Sequence, residues 1–298
     1  MKRATFCAFS RYLINCMRDG RQYRIAETYT TSVNSFSRFL GGKDIPFKAL
    51  TPSLVVRYEA WLLDRGLCRN TTSFYMRNLR AIFNKAVKLG YAPPGDPFQQ
   101  VYTGVDKTRK RALPLSDIRR IKRLDLSARP DLSLARDLFL FSFYTRGMSF
   151  VDMSYLRPDN IQDGYLVYAR KKTGQSLRIK WEKSMQDIVD RYDAPCSGYL
   201  LPIITSKDRD ERNQYRNILF RVNSGLAEIS RMLHIDPPIT TYVARHSWAT
   251  IAYSQNVSVS IISEALGHDS ERTTRIYLAS VSNSRVDRAN SMILKKLL

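Results

Sequence analysis

Residues 241–250 of this 298-residue chain read TYVARHSWAT, residues 266–268 read LGH and residues 273–277 read TTRIY. Apolar spacing predicts helices over about 241–255, 258–266 and 271–278. A guanidinium (Arg245), two imidazoles (His246 and His268) and a phenol (Tyr277) therefore ride on short consecutive helices, with His268 and Tyr277 nine residues apart. None of these groups means much alone. The chain has 17 tyrosines, so only the company Tyr277 keeps singles it out.

Working outward, GYLVYARKKTGQSLRIKW at 164–181 abandons the helical period. Its two β-rich runs flank Lys172-Thr173-Gly174-Gln175, which predicts a hairpin with Lys172 at the tip. Helices are expected on both sides, over about 182–193 and 208–234, from Leu132 to about Thr145, and after a cap at Ser116 or Asp117. The stretches YAPPGDPF and TGVDKTRKRALP break all periodicity, which predicts a basic linker over 93–113. Before it lie four helices. Phe6, Phe9, Leu13 and Cys16 mark the first, and Ala26, Tyr29, Val33, Phe36 and Leu40 the second. Thr51-Pro52 opens the third as N-cap and first-turn proline, and Asn70-Thr71-Thr72 opens the fourth. The expected fold is mainly α with a small β-hairpin: a helical domain over 1–92, the linker, and a mixed α/β domain over 114–298. An amphipathic stretch, Val286 to Leu297, closes the chain with Val286, Ala289, Met292, Ile293 and Leu297 on one side.

Composition narrows the partners. Lys and Arg number 48 against 27 Asp and Glu, a formal net charge of +21. The excess is distributed, +12 over residues 1–110 and +9 over 111–298, as suits a protein that grips a polyanion from two sides. Double-stranded nucleic acid is the first candidate. Arg57, Arg69, Arg77 and Arg80 on the predicted helices, Lys107, Arg109 and Lys110 in the linker, and Lys171 in the hairpin are the candidate contacts. No apolar run approaches the ~20 residues of a membrane span. The N-terminus lacks the pattern of a secretory signal, so a cytoplasmic chain is expected. Cys7, Cys16, Cys68 and Cys196 are scattered without zinc spacing, so neither metal nor disulfide is expected.

The combination of Arg245-His246, Leu266-Gly267-His268 and Tyr277 resembles the tyrosine recombinases, the phage-integrase and Xer-like family, and the resemblance extends over almost the whole chain. It implies an N-terminal helical, SAM-like core-binding domain and a catalytic domain that cuts and rejoins DNA through a 3′-phosphotyrosine. It implies no cofactor, and four protomers on paired sites, with an accessory DNA-bending protein possible. The chemistry suits these residue types: strand cleavage without metal or water requires a side-chain nucleophile and a fixed cationic clamp. By the resemblance Tyr277 is the nucleophile, Arg245 part of the clamp, and His268 a group that hydrogen-bonds the phosphate. His246 is a supporting residue. Lys172 is the general acid for the 5′-oxygen, preferred to Lys171 because the family lysine directly precedes threonine. The terminal segment from about 286 docks in the family on a neighbouring subunit; folding back on its own core is the other option.

Two positions depart from the family pattern. Where the first family arginine is expected, between Gly147 and Asp152, stands Ser149. Arg146, three residues earlier, is expected to supply the missing cation if the segment is helical; the alternative is that it only contacts flanking backbone and the site works with one arginine, Asp152 keeping the family's acidic role of holding the clamp. Tyr242 stands three before Arg245, where the family has histidine; it keeps a hydrogen-bond donor but is a poor proton shuttle at neutral pH. Two other readings of the sequence stay open: a silenced relative that only binds DNA, and a type IB topoisomerase-like nicking-closing enzyme.

Overall fold

The computed structural model describes residues 4–106, 111–193 and 195–278. The chain divides into two compact units, 1–108 and 109–298. The first is built on four helices: α1 (Phe6–Asp19), α2 (Tyr23–Phe39), α3 (Pro52–Asp64) and α4 (Arg69–Lys88). Their apolar faces meet in one core that includes Phe6, Phe36, Tyr58 and Ile82, each essentially inaccessible to solvent. The Tyr58 hydroxyl donates to Ser35 at 2.8 Å, so this buried phenol leaves no polar group unmet. The Thr51 side chain caps α3 by accepting from the Leu54 N–H, with Pro52 opening the first turn. The fourth helix begins one residue earlier than its Asn-Thr-Thr signal suggested, with Cys68 in extended conformation just before it.

The expected linker differs from what the chain does. Residues 92–106 run back over the first unit, and Ala92, Phe98 and Val101 join its core. The end of this strap is clasped to the start of α4: Asn70 exchanges two hydrogen bonds with the Asp106 backbone, at 2.8 and 3.0 Å, and Ser73 donates to the Gly104 carbonyl. Proline and glycine punctuation correctly marks the loss of helix here, but a chain without regular structure can still bury Phe98. Lys107, Arg109 and Lys110, and the stretch from Val286, lie outside the described residues.

The second unit contains α5 (Leu115–Arg123), α6 (Pro130–Tyr144), α7 (Phe150–Ser154), α8 (Lys183–Val189), α9 (Glu211–Met232), α10 (Thr241–Ser254), α11 (Val259–Leu266) and α12 (Glu271–Leu278). A three-stranded antiparallel sheet, β1 (Ile161–Gln162), β2 (Tyr165–Ala169) and β3 (Ser176–Lys180), follows α7. The expected hairpin is β2–β3, with Leu166 opposite Ile179 and Tyr168 opposite Leu177; β1 adds an edge too short to read in the sequence. The hydrophobic helix α6 is buried nearly all round, through Leu132, Ala135, Leu138, Phe139, Leu140 and Phe141. It crosses α9 at Gly225, where a methyl group would stand 2.9 Å from the Ala135 Cβ. Asp137, fully buried on α6, accepts from Arg136, Arg191 and the Tyr192 hydroxyl at 2.9–3.0 Å, pinning the end of α8 to α6. Helix α10 then serves two cores. Val243 and Ala244 belong to the large one, and Ala249 to a small satellite with Ile262, Leu266 and Leu278.

Candidate active site

Arg245 is the centre of the arrangement. Thr240 is extended and the Thr241 N–H donates to Asn223 on α9 at 2.9 Å, which fixes the start of α10. One turn on, Arg245 points inward and is 4% exposed. Its guanidinium donates to the Gly147 carbonyl at 2.9 Å, the Leu266 carbonyl at 2.6 Å and His268 Nε2 at 3.0 Å. Gly147 belongs to the turn after α6, and Leu266 and His268 to the turn after α11, so two turns fix one planar fork. Gly147 permits this approach: at φ +76° it sits where an added Cβ would lie 2.6 Å from the Arg245 Cα.

His268 follows Gly267, which ends α11 in the left-handed conformation at φ +64°. The imidazole bridges Arg245 through Nε2 and Thr274 Oγ1, at 2.8 Å, through Nδ1. Desolvation, then the positive charges of Arg245, Arg170 and Lys172, push its pKa from 6.5 down to about 4, against a weaker pull from Asp269. The ring is therefore neutral at physiological pH.

The hairpin brings in a residue that sequence reasoning missed. Arg170, at the end of β2 and 8% exposed, donates to the Gly267 carbonyl, and its Nε lies 4.0 Å from Asp152 Oδ2. Asp152, itself 4% exposed, also accepts from Ser149 Oγ at 2.7 Å and from the Lys171 N–H at 2.8 Å. Ser149, where an arginine was expected, thus caps α7 and holds the carboxylate. Asp152 in turn fastens the hairpin. Arg170, Lys172, Ser149, Tyr242, Arg245 and His268 share the lining of one cleft of about 350 Å³, with Asp269 also on its wall.

The two hairpin lysines are placed apart. Lys172 lines the cleft, whereas the Lys171 ammonium lies 4.2 Å from the centre of the Tyr155 ring. Tyr242, 48% exposed, meets the His246 ring edge-to-face, and His246 is buried behind it. Arg146 does not behave as expected. Helix α6 ends at Tyr144, Arg146 is left-handed at φ +60°, and it is not among the residues lining the cleft. The helical turn that was to carry it round is absent. Tyr277 lies in α12, three residues after Thr274.

In the first unit Arg57 is exposed, while three of its companions have intramolecular partners. Arg69 lies 3.7 Å from Asp106 and stacks over Tyr102, Arg80 pairs with Asp96 at 3.0 Å, and Arg77 donates to the Ser73 carbonyl.

A cleft with two fixed guanidiniums, a neutral imidazole and a lysine, beside a tyrosine-bearing helix, can hold an oxyanion by hydrogen bonds. The family model of the phage integrase family matches residues 133–283, and that of the phage integrase SAM-like domain residues 5–101. The chain belongs to the phage integrase family and is a tyrosine recombinase. Among curated relatives, Tyrosine recombinase XerD of Pseudomonas putida is 21% identical over 261 residues, covering 84% of each chain. A tyrosine recombinase of Pseudothermotoga lettingae is 22% identical over 297 residues, covering 96% of each. The fold is similar to that of lambda integrase in a dimer bound to a COC′ core site, at TM-score 0.68 and 16% identity, over 92% of this chain and 95% of that one.

Proposed function

We propose that this protein cuts and rejoins duplex DNA at specific sites by transesterification, with Tyr277 as nucleophile. The observation that carries the reading is the convergence of Arg245, Arg170, His268 and Lys172 on one cleft beside α12. In the forward step the Tyr277 oxygen bonds to the scissile phosphorus and the bond from phosphorus to the 5′-oxygen breaks. The phenol passes its proton to solvent water as that bond forms, and the 5′-oxygen takes one from the Lys172 ammonium. Rejoining reverses each change with a 5′-hydroxyl from another strand, so the bond energy is conserved throughout.

Arg245 and Arg170 form the clamp. Because each is already held by carbonyl or carboxylate partners, neither has to reorganise as charge grows on the non-bridging oxygens; a preorganised donor of this kind is worth about 10²–10³ in rate. Asp152 positions Arg170 and the hairpin, and the Tyr242 hydroxyl supplies a further donor at the cleft mouth. The partner is double-stranded DNA, which the +21 charge favours, and the reaction belongs in the cytoplasm. Related lambda integrase has been crystallised as a dimer on a core site and as a tetramer on a Holliday junction. Here too four protomers would act on paired sites.

The test is covalent capture on nicked fragments tiled from the DNA flanking the gene, with EDTA present. Wild-type protein should yield an SDS-resistant protein–DNA band and Tyr277→Phe none, with DNA binding equal in both. Tight, salt-sensitive binding to one fragment without any adduct would replace this reading with that of a DNA-binding protein that has lost catalysis.

A further inference from the structure

We infer that Lys171 and Tyr155 are positioning residues of the reaction: the Lys171 ammonium, seated on the Tyr155 ring, steadies the hairpin tip so that Lys172 is presented to the cleft. Lys172 acts here in the acid role proposed above, on which this assignment rests. Main-chain hydrogen bonds hold only the feet of the turn. The Arg170 N–H donates to the Gln175 carbonyl at 2.9 Å, the Gly174 N–H to the Arg170 carbonyl at 2.8 Å, and the Lys171 N–H to Asp152 Oδ1 at 2.8 Å. Among the described residues, Lys172 and Thr173 make no backbone hydrogen bond of their own. The direction of Lys172 is therefore passed on from Lys171, and Lys171 has a second fixed point. Its ammonium lies over the Tyr155 ring, 4.2 Å from the centre.

Both fixed points come from the end of α7. Asp152 lies on that helix, and Tyr155 closes it, its N–H donating to the Asp152 carbonyl at 3.3 Å. The ring is itself braced. Buried Tyr199 meets it edge-to-face with centroids 5.7 Å apart, and the Tyr199 hydroxyl donates to Glu211 at 2.8 Å. A single hydrogen bond at Lys171 is a pivot; the ammonium on the ring adds a second point and opposes rotation about it. The two consecutive lysines thus divide the roles: Lys171, expected as a DNA contact, is the anchor, and Lys172 lines the cleft. The contact can bias the tip by no more than its own free energy. Its loss should therefore slow cleavage about two- to fivefold, the worth of one exposed cation–π pair.

Tyr155→Leu removes the π-face and Tyr155→Phe keeps it, and neither alters charge. In the free protein, NMR should find the Lys171 ε-methylene protons shifted upfield by the ring in wild type and Tyr155→Phe, but not in Tyr155→Leu. On nicked DNA, Tyr155→Leu should slow covalent capture about two- to fivefold where the scissile 5′-atom is oxygen and not where it is sulfur, which leaves unprotonated. Tyr155→Phe should match wild type on both. The ratio of the two rates cancels any loss of folded protein, and a merely structural role would slow both substrates alike. Equal slowing on both, wild-type rates in Tyr155→Leu, or unshifted Lys171 protons in wild type overturn the positioning role. Lys172→Ala separates that role from the reading beneath it. Equal slowing of both substrates by Lys172→Ala removes the acid and its anchor together. Sulfur rescue of Lys172→Ala without sulfur rescue of Tyr155→Leu overturns the anchor alone.

Discussion

Gly147→Ala isolates the close approach on which the Arg245 geometry depends. The new methyl group carries two separable costs. The first is conformational: at φ +76° an L-residue with a Cβ loses about 1–2 kcal/mol. The second is steric. The Cβ would lie 2.6 Å from the Arg245 Cα and 2.8 Å from its Cβ and Cγ, so backbone, not a flexible tip, must move. Helix α10 cannot retreat freely, because Val243 and Ala244 are embedded in the main core. Overpacking of this kind costs about 1–3 kcal/mol, giving about 2–5 kcal/mol in all. For a unit of this size that lowers Tm by about 5–15 °C. The same shift strains the bond from Arg245 to the Gly147 carbonyl, and a clamp displaced by ~1 Å can lose about 10²-fold in rate. Gly164→Ala is the matched control, with φ +73° but nothing within 4 Å of the new methyl group. It should show the conformational cost alone, about 2–6 °C, and normal catalysis. Thermal denaturation and covalent capture on nicked DNA read both effects. Equal Tm shifts in the two variants, or full cleavage by Gly147→Ala, would refute the argument.

Arg170→Ala should reduce capture about 10²–10³-fold while Arg146→Ala stays near wild type; the opposite order would return the clamp role to Arg146. Lys172→Ala should slow cleavage of ordinary DNA but not of DNA whose scissile 5′-oxygen is replaced by sulfur, since a thiolate leaves unprotonated. Equal slowing on both substrates would remove Lys172 as the acid. With a folded pKa of about 4 against 6.5 in the unfolded chain, His268 binds a proton only in the unfolded state between those values. Stability should therefore fall as pH drops from about 6.5 towards 4, and urea titrations of His268→Gln should show a flatter decline. Asp137→Asn leaves Arg136 and Arg191 without their buried anion and should cost about 2–4 kcal/mol in urea unfolding. DNA affinity of the folded fraction should not change.

Local signals carried most of the secondary structure. Thr51-Pro52 caps α3, and the run around Lys172–Gly174 turns the hairpin, because caps and tight turns depend on a few neighbouring residues. Arg245 and His268 were legible as members of a spaced motif. Arg170 was not, because its part is created by a contact with Gly267, 97 positions along the chain. The assignment to Arg146 assumed a helix that ends two residues too soon, at Tyr144. Likewise the Pro-Gly stretch after Tyr91 announces irregular backbone, whereas the burial of Phe98 and Val101 is a tertiary fact with no local signature. Asp137 shows the same limit: one carboxylate among apolar neighbours reads as a surface group until Arg191 and Tyr192 arrive from another element.

The division of α10 between two cores has a consequence for local opening. Arg245 and Asp152 are buried, but among the described residues the apolar packing of α11 and α12 is a small satellite of Ala249, Ile262, Leu266 and Leu278. Segments with little buried apolar area open at a fraction of the global unfolding free energy. Amide hydrogen exchange should therefore resolve two tiers, slow in α6 and α9 and fast in α11 and α12. The Leu266 and Gly267 carbonyls, which accept from Arg245 and Arg170, sit in the fast tier, so opening there loosens both guanidiniums together with the tyrosine-bearing helix.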